Sequence, residues 1–151
     1  MSCQTVDLNK DGKREILVTD RQGFLHVLDS SLALVAKLHL VTNRFEMVDL
    51  SIKAITDLDQ DDWPEIILTS SMIEFGAGSN SGDPSGPRPI RRYHDNSIIV
   101  LNSKFKPLAR YTVAELWTEH TPFHLQIADL NGDGKPDILS LADEALVLEF
   151  R

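Results

Sequence analysis

The sequence predicts an all-β protein built from three copies of one small sheet, on three observations. A nine-residue acidic segment occurs three times, as Asp7-Leu-Asn-Lys-Asp-Gly-Lys-Arg-Glu15, Asp57-Leu-Asp-Gln-Asp-Asp-Trp-Pro-Glu65 and Asp129-Leu-Asn-Gly-Asp-Gly-Lys-Pro-Asp137. Each copy runs straight into an apolar stretch: Glu15-Ile-Leu-Val, Glu65-Ile-Ile-Leu and Asp137-Ile-Leu-Ser. The remaining apolar stretches, such as Gly23-Phe-Leu-His-Val-Leu-Asp29 and Ser97-Ile-Ile-Val-Leu-Asn102, are short, β-branched or aromatic, and bounded by turn formers. That is a strand pattern and not a helical 3.6-residue period.

Taken in order, the elements repeat with the acidic segments. Strand A precedes each segment (residues 3–6, 50–56 and 123–128), and strand B follows it (14–19, 64–70 and 136–142). Strand C comes next (23–29, 97–102 and 144–150), and strand D covers 32–40 and 107–113, with no strand D in the third copy. The first Asp of each segment stands at 7, 57 and 129, spacings of 50 and 72 residues, and an internal repeat of this size is one small sheet per copy. The longer second copy carries its excess in residues 71–96, dense in Gly, Ser and Pro, which reads as an insertion loop between strands B and C. The repeats then span about 3–41, 50–113 and 123–151 of one domain, 1–151.

The acidic segments carry the chemistry. Relative positions 1, 3, 5 and 9 hold oxygen-bearing side chains, and with a backbone carbonyl at position 7 they can converge on one hard cation; Ca²⁺ takes roughly 6 to 8 oxygens at about 2.3 to 2.6 Å. The ligands expected are Asp7, Asn9, Asp11, Glu15 and the Lys13 carbonyl in the first loop. They are Asp57, Asp59, Asp61, Glu65 and the Trp63 carbonyl in the second, and Asp129, Asn131, Asp133, Asp137 and the Lys135 carbonyl in the third. An EF-hand would place its last acid at position 12 and continue into a helix, and neither holds here. Gly12 and Gly134 permit the positive φ of a sharp turn, whereas Asp62 occupies that position in the second loop at a conformational cost. The second loop is accordingly ranked last of up to three Ca²⁺ sites. A metal-free acidic turn held by side chain to backbone hydrogen bonds is the alternative.

The pattern D-x-[DN]-x-D-G-x-x-[DE] between two strands resembles the FG-GAP/VCBS repeats of integrin α-subunit-like β-propellers. The resemblance implies a partial β-propeller of about two and a half to three four-stranded antiparallel blades, with calcium loops between strands A and B. In such a propeller the A–B and C–D turns share one face, and the B–C and D–A connections share the other. The second face would then hold residues 71–96 and the connectors 41–49 and 114–122, placing Arg91, Arg92, Tyr93 and Trp117 as candidate partner-binding residues, since Arg and aromatics are enriched in hot spots. Closed propellers have about 4 to 8 blades, so the chain is expected to self-associate, to be capped by a partner, or to join further blades of a longer propeller.

Composition agrees with this and limits the alternatives. With 151 residues, 42% hydrophobic and 25% charged, the chain can bury one sizeable core, and its net charge of −8 opposes binding to nucleic acid or anionic membrane. It has no apolar run of membrane-spanning length and no evident signal peptide. A lone Cys3 rules out an intrachain disulfide framework. The five histidines lack zinc-site spacing, and there is no nucleophile motif or phosphate-binding glycine loop. The expectation is a non-enzymatic module for protein or glycan recognition and adhesion, in an extracellular, cell-surface or periplasmic setting. The alternatives are the propeller part of a carbohydrate-active enzyme such as a polysaccharide lyase, or a structural spacer stapled by calcium.

Overall fold

A computed structural model describes residues 1–42, 47–76, 90–114, 124–141 and 145–148. Eleven strands and no helix occur among them. The first sheet is the meander β1 (Cys3–Val6), β2 (Glu15–Thr19), β3 (Phe24–Leu28) and β4 (Leu34–His39). The second is β5 (Met47–Thr56), β6 (Glu65–Gly76), β7 (Ile90–Leu101) and β8 (Pro107–Ala114). The third holds β9 (His124–Ala128), β10 (Asp137–Leu141) and β11 (Ala145–Leu148). All neighbouring strands are antiparallel, and each sheet follows chain order.

The middle sheet is buried on both faces, and its period-2 pattern shows how. Ile66, Leu68, Ile99 and Leu101 pack with Leu17, Leu25 and Val27 of the first sheet. Their immediate neighbours Ile67, Ile98 and Val100 point the other way and pack with Ile138, Leu125 and Ile127 of the third sheet. Alternate residues of a strand face opposite sides, so near-continuous apolar runs here mean a sheet sandwiched between two others. The three sheets therefore stack face to face, each fully buried aliphatic side chain contributing about 2 kcal/mol.

A hydrogen-bonded knot joins the first two sheets near their first strands. Thr19 is wholly buried; its Oγ1 donates to the Leu50 carbonyl at 2.7 Å and accepts from Ser2 N at 2.8 Å. Ser2 Oγ in turn accepts from Ile52 N at 2.8 Å. The two sheets are thus tied by polar bonds as well as by their shared core.

Three boundaries differ from the sequence expectation. Residues 71–96 are not one loop: β6 continues through Gly76 and β7 begins at Ile90, paired through Phe75↔Arg91 and Gly76↔Ile90, while residues 77–89 lie outside the described residues. A register shift between Ser70 and Met72 marks where this extension leaves the regular sheet, as a bulge does. Strand A of the second unit likewise starts at Met47, three residues early, because Met47, Val48 and Asp49 pair with that extension. Finally, Leu32 belongs to the turn before β4, with φ 67°.

Two turns between third and fourth strands repeat as faithfully as the acidic loops. Asp29 Oδ1 accepts from Ser31 N and Ala33 N, and Asn102 Oδ1 accepts from Lys104 N and Lys106 N, all at 2.8 to 3.0 Å. Leu32 and Phe105 take the left-handed conformation at the same place in each. One Asx residue thus organises each turn.

Candidate metal centre

Each acidic segment closes a hairpin at the same register. Position 9 pairs with the residue just before position 1, as Val6↔Glu15, Thr56↔Glu65 and Ala128↔Asp137. Eight residues must therefore turn back within the width of two strands, and their own side chains direct the turn.

The position-1 carboxylate is the hub. Asp7 accepts from the backbone N–H of Asp11 and Gly12, Asp57 from Gln60, Asp61 and Asp62, and Asp129 from Gly132 and Gly134, at 2.6 to 3.2 Å. Position 3 accepts from position 5, through Asn9, Asp59 and Asn131. Position 5 accepts from position 7 at 2.8 Å in all three loops. The position-9 acid reaches back to the N–H of position 2: Glu15 to Leu8 at 2.8 Å, Glu65 to Leu58 at 2.8 Å and Asp137 to Leu130 at 3.0 Å. These bonds draw positions 1, 3, 5 and 9 toward one centre. In the first loop Asn9 Nδ2 donates to both Asp11 Oδ2 and Glu15 Oε1 at 3.3 Å, which displays that convergence directly.

The wrap requires left-handed backbone at two places. Position 6 has φ 81° at Gly12, 70° at Asp62 and 87° at Gly134; position 4 has φ 59° at Lys10, 64° at Gln60 and 78° at Gly132. The position-4 requirement escaped the sequence analysis because Lys10 and Gln60 carry no glycine signal. Asp62 adopts the turn that Gly12 and Gly134 adopt, so the missing glycine does not distort the second loop.

The most compact acidic cluster falls in the second loop. Asp57, Asp59 and Asp61 place carboxylate oxygens within 4.8 Å of one another, and this is the acidic cluster of that compactness among the described residues. The reason is position 3, where the second loop has a carboxylate and the other two an amide. Buried Glu65 feels their charges: burial pushes its carboxyl above the ordinary value, and Asp59, Asp61 and Asp57 push the same way, against the bond from Leu58 N. The three clustered carboxylates in this oxygen-lined turn are compatible with a divalent cation.

The loops also touch each other. Gln60 Nε2 donates to the Gly134 carbonyl at 2.6 Å, and Lys10 Nζ sits 4.7 Å from the centre of the Trp63 ring. Both bridging residues occupy position 4, so the left-handed turn there aims a long side chain at the next loop.

The other candidate residues fall differently. Arg91, Arg92 and Tyr93 are strand residues of β7 rather than the base of a loop. Arg92 is exposed, and Tyr93 borders a cavity of about 90 Å³ together with Met1, Arg21 and Asp49. Trp117 lies outside the described residues. His26 is half-buried and hydrogen-bonded to Asp20 at 2.8 Å, while His39 is exposed and stacked on Phe24 at 4.1 Å. No described helix is long and apolar enough to cross a membrane.

A family model described as an FG-GAP-like repeat matches residues 57–140, from the second acidic loop into β10 and over more than half of the chain. No curated protein and no solved structure matches it.

Proposed function

The chain belongs to the FG-GAP-like repeat family, and on that premise we propose that it is a calcium-stapled β-propeller segment that serves recognition and not catalysis. The observation that carries this reading is the threefold recurrence of one loop at one register, with three carboxylates within 4.8 Å in the second copy. A catalytic pair of acids needs unlike environments in one cleft, whereas these acids recur with like partners in three separate turns.

In this reading the cation is held by Asp7, Asn9, Asp11, Glu15 and the Lys13 carbonyl in the first loop, with Asp57, Asp59, Asp61, Glu65 and Trp63 in the second. Asp129, Asn131, Asp133, Asp137 and Lys135 hold it in the third. Bound calcium supplies positive charge that offsets the repulsion among the acids. The protein's part is to fix the turn: the hub carboxylate and the position-9 acid tie strand A to strand B, and the position-2 leucines Leu8 and Leu58 plug the core.

That leucine also supports an arc of blades with a face to fill. Leu8 and Leu58 are 3% and 0% exposed, each packed between its own sheet and the next, but Leu130 at the same position is 47% exposed. A further sheet, from a longer propeller or a second copy, would cover it as the second and third sheets cover the other two. The partner is a protein or a glycan in an extracellular, cell-surface or periplasmic setting, where calcium is abundant enough for modest sites. Thermal unfolding in calcium and in EGTA tests the metal reading: the melting temperature falls on chelation. An unchanged curve for demonstrably metal-free protein would contradict it.

A further inference from the structure

The contact between successive sheets is made twice in the same way. Ile66 of the second sheet packs with Leu8 and Leu17 of the first, and Ile138 of the third packs with Leu58 and Ile67 of the second. Counted from the first Asp of each acidic segment, the isoleucine stands at position 10 and its partners at positions 2 and 11. All of these side chains are 3% exposed or less.

A stack of three sheets leaves the two sides of this contact unmatched at its ends. On the back of the third sheet, positions 2 and 11 are Leu130, 47% exposed, and Leu139, half-buried. On the front of the first sheet, position 10 is Ile16, half-buried like Val18 and Leu28 beside it, whereas their counterparts Leu68 and Leu101 in the second sheet are wholly buried. Both ends thus keep the aliphatic residues of the internal contact, although end repeats that face water carry a polar outer surface.

We infer that the back of the third sheet binds the front of the first sheet of a second copy of this chain. The inference rests on the propeller-segment reading above and makes the second copy its partner, but it does not depend on calcium. A second copy fits because it presents Ile16, Val18 and Leu28 in the arrangement that already covers Leu8 and Leu58 from the next sheet. The contact is head-to-tail, so it propagates as an open chain or closes into a ring. Each copy carries a net charge of −8; this repulsion opposes association, and salt strengthens association by screening it.

Sedimentation velocity over a range of protein concentrations, in calcium, tests the inference on the parent chain and on Leu130→Asp and Ile16→Lys. The parent is expected to form dimers or larger species, more so as salt rises. Either substitution weakens association by roughly a hundredfold or more, because an unpaired charge would be buried. Mixed in equal amounts, the two variants form a dimer and nothing larger, since Leu130→Asp keeps an intact front and Ile16→Lys an intact back. A monomeric parent would overturn the inference, and a melting temperature that still falls on chelation in that sample would show that the metal reading stands without it. Association that survives either substitution, or variants that keep the parent's circular dichroism and yet form no dimer on mixing, would overturn it as well.

Discussion

Gln60 of the second acidic loop donates its side-chain amide to the main-chain carbonyl of Gly134 in the third, at 2.6 Å and across 74 residues of chain. The left-handed backbone at Gln60 aims the side chain there, and Lys10 in the first loop uses the same conformation to reach Trp63. Gln60→Ala should cost about 0.5 kcal/mol, the low end for an exposed hydrogen bond, and Lys10→Ala about 0.5 kcal/mol. Urea denaturation in saturating calcium reads both. A Gln60→Ala protein as stable as the parent would mean the contact does not join the loops.

Gly23 and Gly12 both have positive φ, at 83° and 81°, but in different surroundings. A Cβ on Gly23 would fall on the Val41 carbonyl, whereas a Cβ on Gly12 meets nothing. Gly12→Ala should therefore cost about 1 to 2 kcal/mol, the left-handed strain alone. Gly23→Ala should cost about 3 kcal/mol or more, since the main chain at Val41 must also move. Chemical denaturation of the two variants checks the order.

Thr19 ties two sheets with one hydroxyl. Thr19→Val keeps the shape and leaves the Leu50 carbonyl and Ser2 N–H without that partner, so a loss of about 2 kcal/mol is expected. A near-neutral result in urea would show that the shared apolar core alone holds the sheets together.

Glu65 makes stability depend on pH in a direction set by its raised value. In calcium-free protein the folded state holds this proton more tightly than the unfolded chain, so the native state binds more protons in the window above the ordinary glutamate value of about 4.3. The Glu65 contribution therefore falls as pH rises through that window and levels off above the folded value. Glu65→Gln should flatten this part of the profile in EGTA. Acidification through the same window should instead weaken calcium binding, because the proton and the cation compete for one carboxylate.

Strand order and the three acidic turns were legible in the sequence because each unit repeats the same alternation and the same Asp positions. The extension of β6 and β7 was not, because the Gly, Ser and Pro between 76 and 89 obscured the strand pattern of Met72-Ile-Glu-Phe75 beside it. The two Asx turns carry a weaker signature, since Asp29-Ser-Ser-Leu and Asn102-Ser-Lys-Phe share only a leading Asp or Asn and the Ser that follows it. Left-handed Leu32 and Phe105 follow from the hydrogen bonds of Asp29 and Asn102, not from their own preference. The compact acidic cluster of the second loop follows from Asp59, which adds the carboxylate that the other loops lack.

Trp63 offers the most direct measurement of the central claim, because it is placed within the loop whose acids converge most closely. Terbium is a luminescent substitute for calcium, excited by energy transfer from a nearby tryptophan. Terbium added to chelator-stripped protein should give tryptophan-sensitised emission that calcium displaces, that Asp59→Ala weakens and that Trp63→Phe largely removes. Absent emission, or emission indifferent to both calcium and Asp59→Ala, would contradict the account that these loops are metal sites.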